Sequence, residues 1–229
     1  MSDNQLIRSS SIMAIGTITS RFTGLIRNLL LVALLGTALL GDTYNVANTM
    51  PNILYNLLIG GALTAVFIPQ IVKSFRDSDG GAAFISRLFT ATLTFLFVLT
   101  LLAIIFTPQI VNIYAPEFAK RPEFDITVSL MRYCLPQIFF LGLFALLGQI
   151  ANAKGRFGPM MWAPVINNLI VIVLFSWFLI NKDQLSISTI TESDLLWLGF
   201  GTTAGYLAQA LILFPLLLRS GVRLKLKFD

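Results

Sequence analysis

Histidine, cysteine and charged residues are scarce in this chain, and each scarcity counts against a class of function. The 229 residues include no histidine and one cysteine, Cys134, and 12% of them are charged. Without histidine the chain lacks the commonest general base and metal ligand. A single cysteine excludes an intrachain disulfide and leaves the redox compartment undetermined. The chain also carries no glycine-rich nucleotide loop and no serine nucleophile elbow, so we expect neither an enzyme nor a cofactor or metal site.

Apolar residues dominate the sequence instead. They make up 56% of the chain, with a mean hydropathy of +0.81, and this composition predicts an integral membrane protein, since soluble domains carry about 25% charged residues. The formal net charge of +5 does not indicate a nucleic-acid partner, because the cations fall in loops between hydrophobic segments. Residues 1–35 lack the basic start of a signal peptide and carry two arginines inside the apolar run, so we interpret them as a retained first helix.

Six apolar stretches are long enough to cross a bilayer, which takes about 20 helical residues. They are predicted at about residues 7–35, 43–72, 88–113, 126–151, 161–180 and 195–218. Pro51 and Pro69 interrupt the second stretch, and Pro136 predicts a kink in the fourth. The predicted fold class is therefore an all-α integral membrane protein, a six-transmembrane-helix bundle that forms a single membrane domain over residues 1–229.

The basic residues of alternate loops predict the orientation of the bundle. One side carries ten cations and the other three. The ten are Arg8, Lys73, Arg76, Arg87, Lys154, Arg156, Arg219, Arg223, Lys225 and Lys227, and the three are Lys120, Arg121 and Lys182. Because loops rich in lysine and arginine stay in the cytoplasm, both termini are expected there.

The first predicted helix carries two arginines at membrane depth. On a helical wheel, a set of polar and small residues falls within an arc of roughly 120°. The set is Thr17, Ser20, Arg21, Gly24, Arg27 and Asn28. An ionisable side chain costs about 2.5–3.5 kcal/mol on insertion scales, so it usually faces a bundle interior or a watery cavity. Snorkelling to a headgroup region is the alternative, and it is weaker for Arg21, which has apolar residues on both sides along the helix.

The second predicted helix carries a strip of amides and other polar residues. Within an arc of about 80° lie Asp42, Asn45, Thr49, Asn52, Asn56 and Gly60. Asparagine in hydrocarbon must find hydrogen bonds, either between helices, at around 0.6 kcal/mol each, or with water. Beside the arginines of the first helix, we expect a shared hydrated cavity lined by both sets.

Other polar and small residues of the predicted spans are expected to serve packing. Asn168 is a weaker candidate for the cavity lining, and for Asn168, Asn167 and Arg132 packing or interface anchoring is the preferred interpretation. Gly201, Gly205 and Gln209 share one face of the sixth helix and predict a close helix contact.

The residue types of the expected cavity suit an anionic amphiphile. Arginine presents a planar fork that binds phosphate bidentately and keeps its charge, and asparagine amides suit sugar hydroxyls or peptide carbonyls. Because the helices border lipid, a ligand with a phosphate-and-sugar head and a hydrocarbon tail fits both surroundings. The residues alone lead to this ligand class and no further.

Several motifs follow one another along the chain. They are Ser20-Arg21-x-x-Gly24-x-x-Arg27, Asp42-x-x-x-x-Ala47-x-x-x-Pro51-Asn52, Gly61-Ala62-Leu63-x-x-x-Phe67-Ile68-Pro69, Leu147-x-x-x-x-Asn152-Ala153-x-x-Arg156-Phe157 and Ala163-Pro164-x-x-x-Asn168. As a set they resemble the start of the MurJ/MviN family of lipid II flippases, and the resemblance extends over essentially the whole chain. It implies a member of the MATE-like exporter superfamily, with two six-helix lobes around a central cavity that faces the two sides of the membrane in turn.

The resemblance also implies roles for individual residues. Arg21 and Arg27 would bind the pyrophosphate of the lipid, with Ser20, Asp42 and Asn52 as accompanying cavity residues. The chain departs from the family pattern at two positions, where several members carry an arginine and an acidic residue and this chain has Tyr55 and Gly60. The cavity is therefore expected to be less cationic on the second helix.

The length of the chain corresponds to one lobe of such a protein. We expect an N-terminal lobe, from a shortened gene or excised from a longer protein. Lobes related by pseudo-symmetry bind substrate at their interface, so this chain would hold half a site and would not transport alone. The implied partners are membrane lipid, an anionic lipid-linked glycan, the missing C-terminal lobe and cell-wall synthesis proteins, in a bacterial cytoplasmic membrane.

Other functions stay open at this point. A cation- or proton-coupled drug exporter of the same superfamily needs an intramembrane acid, and the only candidate, Asp42, lies at a helix end. Sequence does not separate a flippase for lipid II from one for another polyprenyl-linked glycan. A membrane interaction module without transport is an alternative of a different class, and the coupling ion or membrane potential that would drive transport is equally open.

Overall fold

The computed structural model describes residues 3–37, 39–60, 68–77, 79–121, 123–182, 184–219, 221 and 224–227. Within these ranges the regular structure is entirely helical. The helices are α1 (Asp3–Leu35), α2 (Leu39–Tyr55), α3 (Ile68–Ser74), α4 (Ala82–Ile105), α5 (Thr107–Tyr114), α6 (Phe124–Cys134), α7 (Gln137–Ala153), α8 (Gly158–Asn181), α9 (Glu192–Leu211) and α10 (Leu213–Leu218), with a π-helix at Asn56–Gly60 and a 3₁₀ helix at Phe118–Lys120. Residues 61–67 of the third motif and Arg223 lie outside the description, as do the side chains of Arg8 and Ile68 and the exposure of Gly60.

Five segments of the described chain are long and apolar enough to cross a membrane. They are Ser10–Leu35, Ala82–Ile105, Phe124–Ala153, Gly158–Asn181 and Glu192–Leu218. The predicted class, an all-α membrane protein, is thereby confirmed. The remaining predicted span, 43–72, corresponds to α2, the π-helix and α3, with residues 61–67 between them outside the description.

Prolines divide three of the predicted helices. Pro108 lacks the N–H that would bond to the Ile104 carbonyl, and the Thr107 hydroxyl donates to that carbonyl instead, at 2.7 Å, where α4 gives way to α5. The predicted kink at Pro136 is a break between α6 and α7. Pro215 lies in α10, just after the break that separates α10 from α9.

Helix packing separates the first two helices of the chain. α1 packs along α8, which packs in turn on α9, whereas α2 packs on α6 and α7. Although α1 and α2 are consecutive, they make few contacts with each other. Two apolar clusters fill the lobe, one around Leu130, Phe175 and Leu198 and the other around Leu147 and Leu213.

The predicted close contact of the sixth helix is confirmed, and its partner is α8. A Cβ at Gly205 would lie 2.4 Å from Asn167 Oδ1, and one at Gly201 would lie 2.6 Å from Leu174 Cδ2. Asn167 Nδ2 donates to Gln209 Oε1 at 3.0 Å. The glycines therefore let α9 approach α8 closely enough for this buried amide pair to form.

Candidate functional site

The polar strip of α2 lies on the exposed side of that helix. Its members in α2, Asp42, Asn45, Thr49 and Asn52, are exposed, and so is Asn56 at the start of the following π-helix. On the opposite side, Tyr44, Ala47 and Met50 are buried against the lobe. Because residues three and four apart share a helix face, one side of α2 packs and the other presents carboxylate, hydroxyl and amide groups. Within the strip, Asn56 Nδ2 donates to Asn52 Oδ1.

Of the two arginines of α1, Arg27 is the more buried. It is half-buried, and its Nε and Nη2 donate to Asn28 Oδ1 at 3.4 and 3.2 Å. Arg21, less than two turns earlier, is exposed. We call Arg21, Arg27 and the five exposed strip residues, four in α2 and Asn56 in the following π-helix, the polar site.

Other members of the predicted arc on α1 face α8 instead. Asn168 of α8 is buried, and its Nδ2 donates to the Ser20 carbonyl and to Thr23 Oγ1, both at 3.0 Å. A Cβ at Gly24 would lie 3.5 Å from the same amide. Thr17 Oγ1 donates to the Met13 carbonyl at 2.9 Å and lies 3.8 Å from Met161 Sδ of α8. Asn168 therefore has the packing role that the sequence favours for it, with Gly24 beside it.

A buried amide that the sequence reasoning missed lies at the break between α6 and α7. Gln137 is fully buried, and its Nε2 donates to Asn48 Oδ1 of α2 at 3.1 Å and to Thr202 Oγ1 of α9 at 3.5 Å. Cys134 Sγ lies 4.0 Å from the same Thr202 hydroxyl. The signal was present, since Gln137 follows Pro136 inside an apolar span. This cluster connects the packed side of α2 to the rest of the lobe.

At the end of the lobe where α8 meets α9, a second missed contact joins two charged groups. Lys182 forms an ion pair with Asp194, whose side chain is 3% exposed. The same carboxylate accepts hydrogen bonds from the Thr191 amide and hydroxyl at 3.1 and 2.8 Å. Thr191 and Asp194 thus form a capping box at the start of α9. Over the described ranges, no cluster of acidic and cysteine side chains suits a metal ion.

Outside the spans, one carboxylate stabilises a helix start. Asp79 Oδ1 accepts from the Gly81 amide at 2.9 Å and Oδ2 from the Ala83 amide at 2.7 Å. These hydrogen bonds favour the ionised form and hold the pKa of Asp79 below its ordinary value. They also pair amides at the start of α4 that lack intrahelical partners.

We therefore expect α4 to loosen at its start in acid. Because the pKa of Asp79 is lower in the folded state, its stabilising contribution is complete above the unfolded value of about 3.9 and is lost as the pH falls through the folded value. The protection factor of the Ala83 amide in hydrogen exchange would measure this loss. Asp79→Asn should remove the pH dependence of that protection factor. Asp77→Asn is the matched control, since Asp77 is an exposed acid in the same turn. An acid response that persists in Asp79→Asn would contradict the assignment.

The helical fold and its candidate spans define a polytopic membrane protein. The chain belongs to the family described as lipid II flippase MurJ, whose model matches residues 31–229. Proteins of this family are described as flippases, and the five candidate spans agree with a multi-pass membrane protein.

Curated relatives carry the same family name. The chain is 34% identical over 195 residues to the probable lipid II flippase MurJ of Rickettsia prowazekii, 28% over 225 residues to that of Rhizobium meliloti and 30% over 221 residues to that of Bdellovibrio bacteriovorus. These matches cover 83%, 96% and 91% of this chain but 38%, 41% and 39% of the relatives. The chain therefore spans about two fifths of the length of the curated relatives it matches.

Proposed function

We propose that this chain is one lobe of a flippase that carries lipid II, a lipid-linked peptidoglycan precursor, across the cytoplasmic membrane by alternating access. The observation that carries the proposal is the exposed polar strip that begins in α2, together with the half-buried Arg27 of α1, in a bundle whose spans are mostly apolar. Polar side chains at membrane depth are costly unless they meet water or a polar ligand. A pyrophosphate headgroup supplies such a ligand.

Each part of the polar site has a role in this proposal. Arg27 and Arg21 bind the pyrophosphate, and Ser20 of α1 and Asp42 of α2 accompany them. The amides of Asn45, Asn52 and Asn56, with the hydroxyl of Thr49, bind sugar or peptide groups of the head. The polyprenyl tail stays in the surrounding lipid. Thr17, Gly24 and Asn168 contribute by holding α1 on α8.

The second half of the site comes from a second lobe in this proposal. The exposed side of α2 has no covering element among the described residues, and substrate sites in transporters of this kind lie between pseudo-symmetric lobes. The proposed orientation puts both termini in the cytoplasm, because ten cations lie on one side and three on the other. Cell-wall synthesis proteins are proposed as further partners, since they would consume the translocated precursor.

The proposal is tested by lipid binding and by transport with the purified 229-residue chain. In native mass spectrometry the chain should retain lipid II and release polyprenol, which shares the tail and lacks the pyrophosphate. In vesicles, the chain alone should not accelerate transbilayer movement of fluorescent lipid II. Equal retention of the two lipids would refute the polar site as a headgroup site, and full transport by the chain alone would refute the half-site.

A further inference from the structure

A cavity of about 440 Å³ lies away from the polar site, where the first part of α1 meets the start of α8. Its walls are Ile12, Trp162 and the segment 155–159. The candidate spans of α1 and α8 begin at Ser10 and Gly158, so the cavity lies at the end of both spans. That depth is where a lipid headgroup sits when the apolar spans cross a bilayer.

The walls of this cavity are held by specific contacts. Trp162 Nε1 donates to the Ile12 carbonyl at 3.3 Å, which ties α8 to α1. A Cβ at Gly16 would lie 2.9 Å from the Trp162 ring, so a glycine lets the indole lie against α1. Gly155 has a φ of 73°, in the left-handed region that favours glycine, and there the chain turns out of α7 toward α8.

The lining combines one cation with apolar surface. Arg156 is exposed, and the lining residues include no acid. Around it, Ile12, Phe157 and Trp162 are 41%, 37% and 39% exposed. Lys154, two residues before Arg156, adds a second positive charge, and its Nζ lies 4.1 Å from the centre of the Phe75 ring. A basic group beside exposed aromatic and aliphatic surface matches a phosphate joined to acyl chains.

We infer that this cavity binds the headgroup phosphate of an anionic glycerophospholipid from the surrounding bilayer, with Arg156 as the anion-binding side chain. The glycerol and upper acyl carbons lie against Ile12, Phe157 and Trp162. The guanidinium binds phosphate through paired N–H groups. An anionic lipid is preferred to a zwitterionic one because no carboxylate among the lining residues balances a headgroup ammonium.

Trp162 makes the cavity directly measurable. The full chain with Trp177→Phe and Trp197→Phe keeps Trp162 as its sole tryptophan. It would be reconstituted in phosphatidylcholine vesicles with a minor fraction of phosphatidylglycerol, and either lipid would carry bromine to quench fluorescence on contact. We expect brominated phosphatidylglycerol to be enriched at Trp162 about fivefold over phosphatidylcholine, as ~1 kcal/mol for one basic side chain at a membrane surface implies.

Variants and a competitor separate this site from general surface charge and from the transported lipid. Arg156→Gln should abolish the enrichment, and Arg156→Lys should retain part of it, which also controls for folding. Arg76→Gln, with the same charge change at another exposed position, should leave it unchanged. Equal quenching by both lipids, or equal loss in Arg76→Gln, would overturn the inference. The inference would also be overturned if a polyprenyl pyrophosphate displaced the brominated phosphatidylglycerol at concentrations at which unlabelled phosphatidylglycerol does not. The cavity would then belong to the transported lipid.

Discussion

Replacing Arg27 with glutamine is expected to weaken binding of a polyprenyl pyrophosphate to this chain by about tenfold to a hundredfold. Glutamine keeps an amide donor but removes the charge, and a hydrogen bond to a charged group contributes about 1.5–3 kcal/mol. Arg27 is half-buried, so water screens its charge less than that of an exposed side chain. The dissociation constant would be measured by titrating the purified chain in detergent.

The matched control for this substitution is Arg132→Gln. Arg132 is also an arginine within a candidate span, and it is exposed on α6, outside the polar site. The control makes the same change in net charge, so it should leave the affinity unaltered. Equal weakening in both variants would mean that the ligand responds to the total charge of the lobe. Unchanged binding in Arg27→Gln would remove Arg27 from the proposed site.

The contact with Asn28 explains how Arg27 can both be held in place and bind an anion. Asn28 Oδ1 accepts from Nε and Nη2, which occupy one edge of the guanidinium. A guanidinium has five N–H donors, so the Nη1 group and one N–H of Nη2 remain for a ligand. Because the Asn28 amide is neutral, it orients Arg27 without cancelling its charge. The polar site thus keeps its attraction for a pyrophosphate.

Helical periodicity predicts which residues of α2 share a face, but it does not say which face is packed. Asn48 lies beside Thr49 in sequence, about 100° around the helix, and the structure turns it inward to Gln137. The strip turns outward. An inward amide can bond to another helix and an outward amide can bond to water or a ligand. Composition therefore does not show which side of α2 faces the rest of the bundle. The difference depends on Gln137, which is 89 residues away along the chain and is brought to α2 by the packing of α7.

The partner of α1 is also beyond what spacing predicts. Consecutive helices usually lie side by side, and the sequence therefore suggests α1 beside α2. The structure pairs α1 with α8 instead. The Asn168 amide donates to the Ser20 carbonyl and the Thr23 hydroxyl across the interface, and Gly24 lies beside this amide. Small and amide residues are visible in the sequence, but their complementarity appears only when both helices are in place.

Alanine at Gly199 is expected to destabilise the lobe more than alanine at Gly201, two residues along the same helix. A Cβ at Gly199 would lie 2.3 Å from the Cβ of Tyr133 on α6. Neither atom moves by side-chain rotation, so the two helices would have to separate, and overpacking of this kind costs about 1–3 kcal/mol. The Thr203 hydroxyl, one turn later, donates to the Tyr133 carbonyl at 2.9 Å and opposes that separation.

Gly201→Ala makes the same chemical change beside a side chain that can move. Its Cβ would lie 2.6 and 2.8 Å from the two terminal methyl carbons of Leu174, which can turn away. Both variants gain about 1 kcal/mol from the higher helix propensity of alanine, so the difference between them isolates the contact with α6. Thermal unfolding in detergent should give a lowered midpoint for Gly199→Ala and a nearly unchanged one for Gly201→Ala. If Gly201→Ala were the less stable variant, the contact between α9 and α6 would not explain the glycine at position 199.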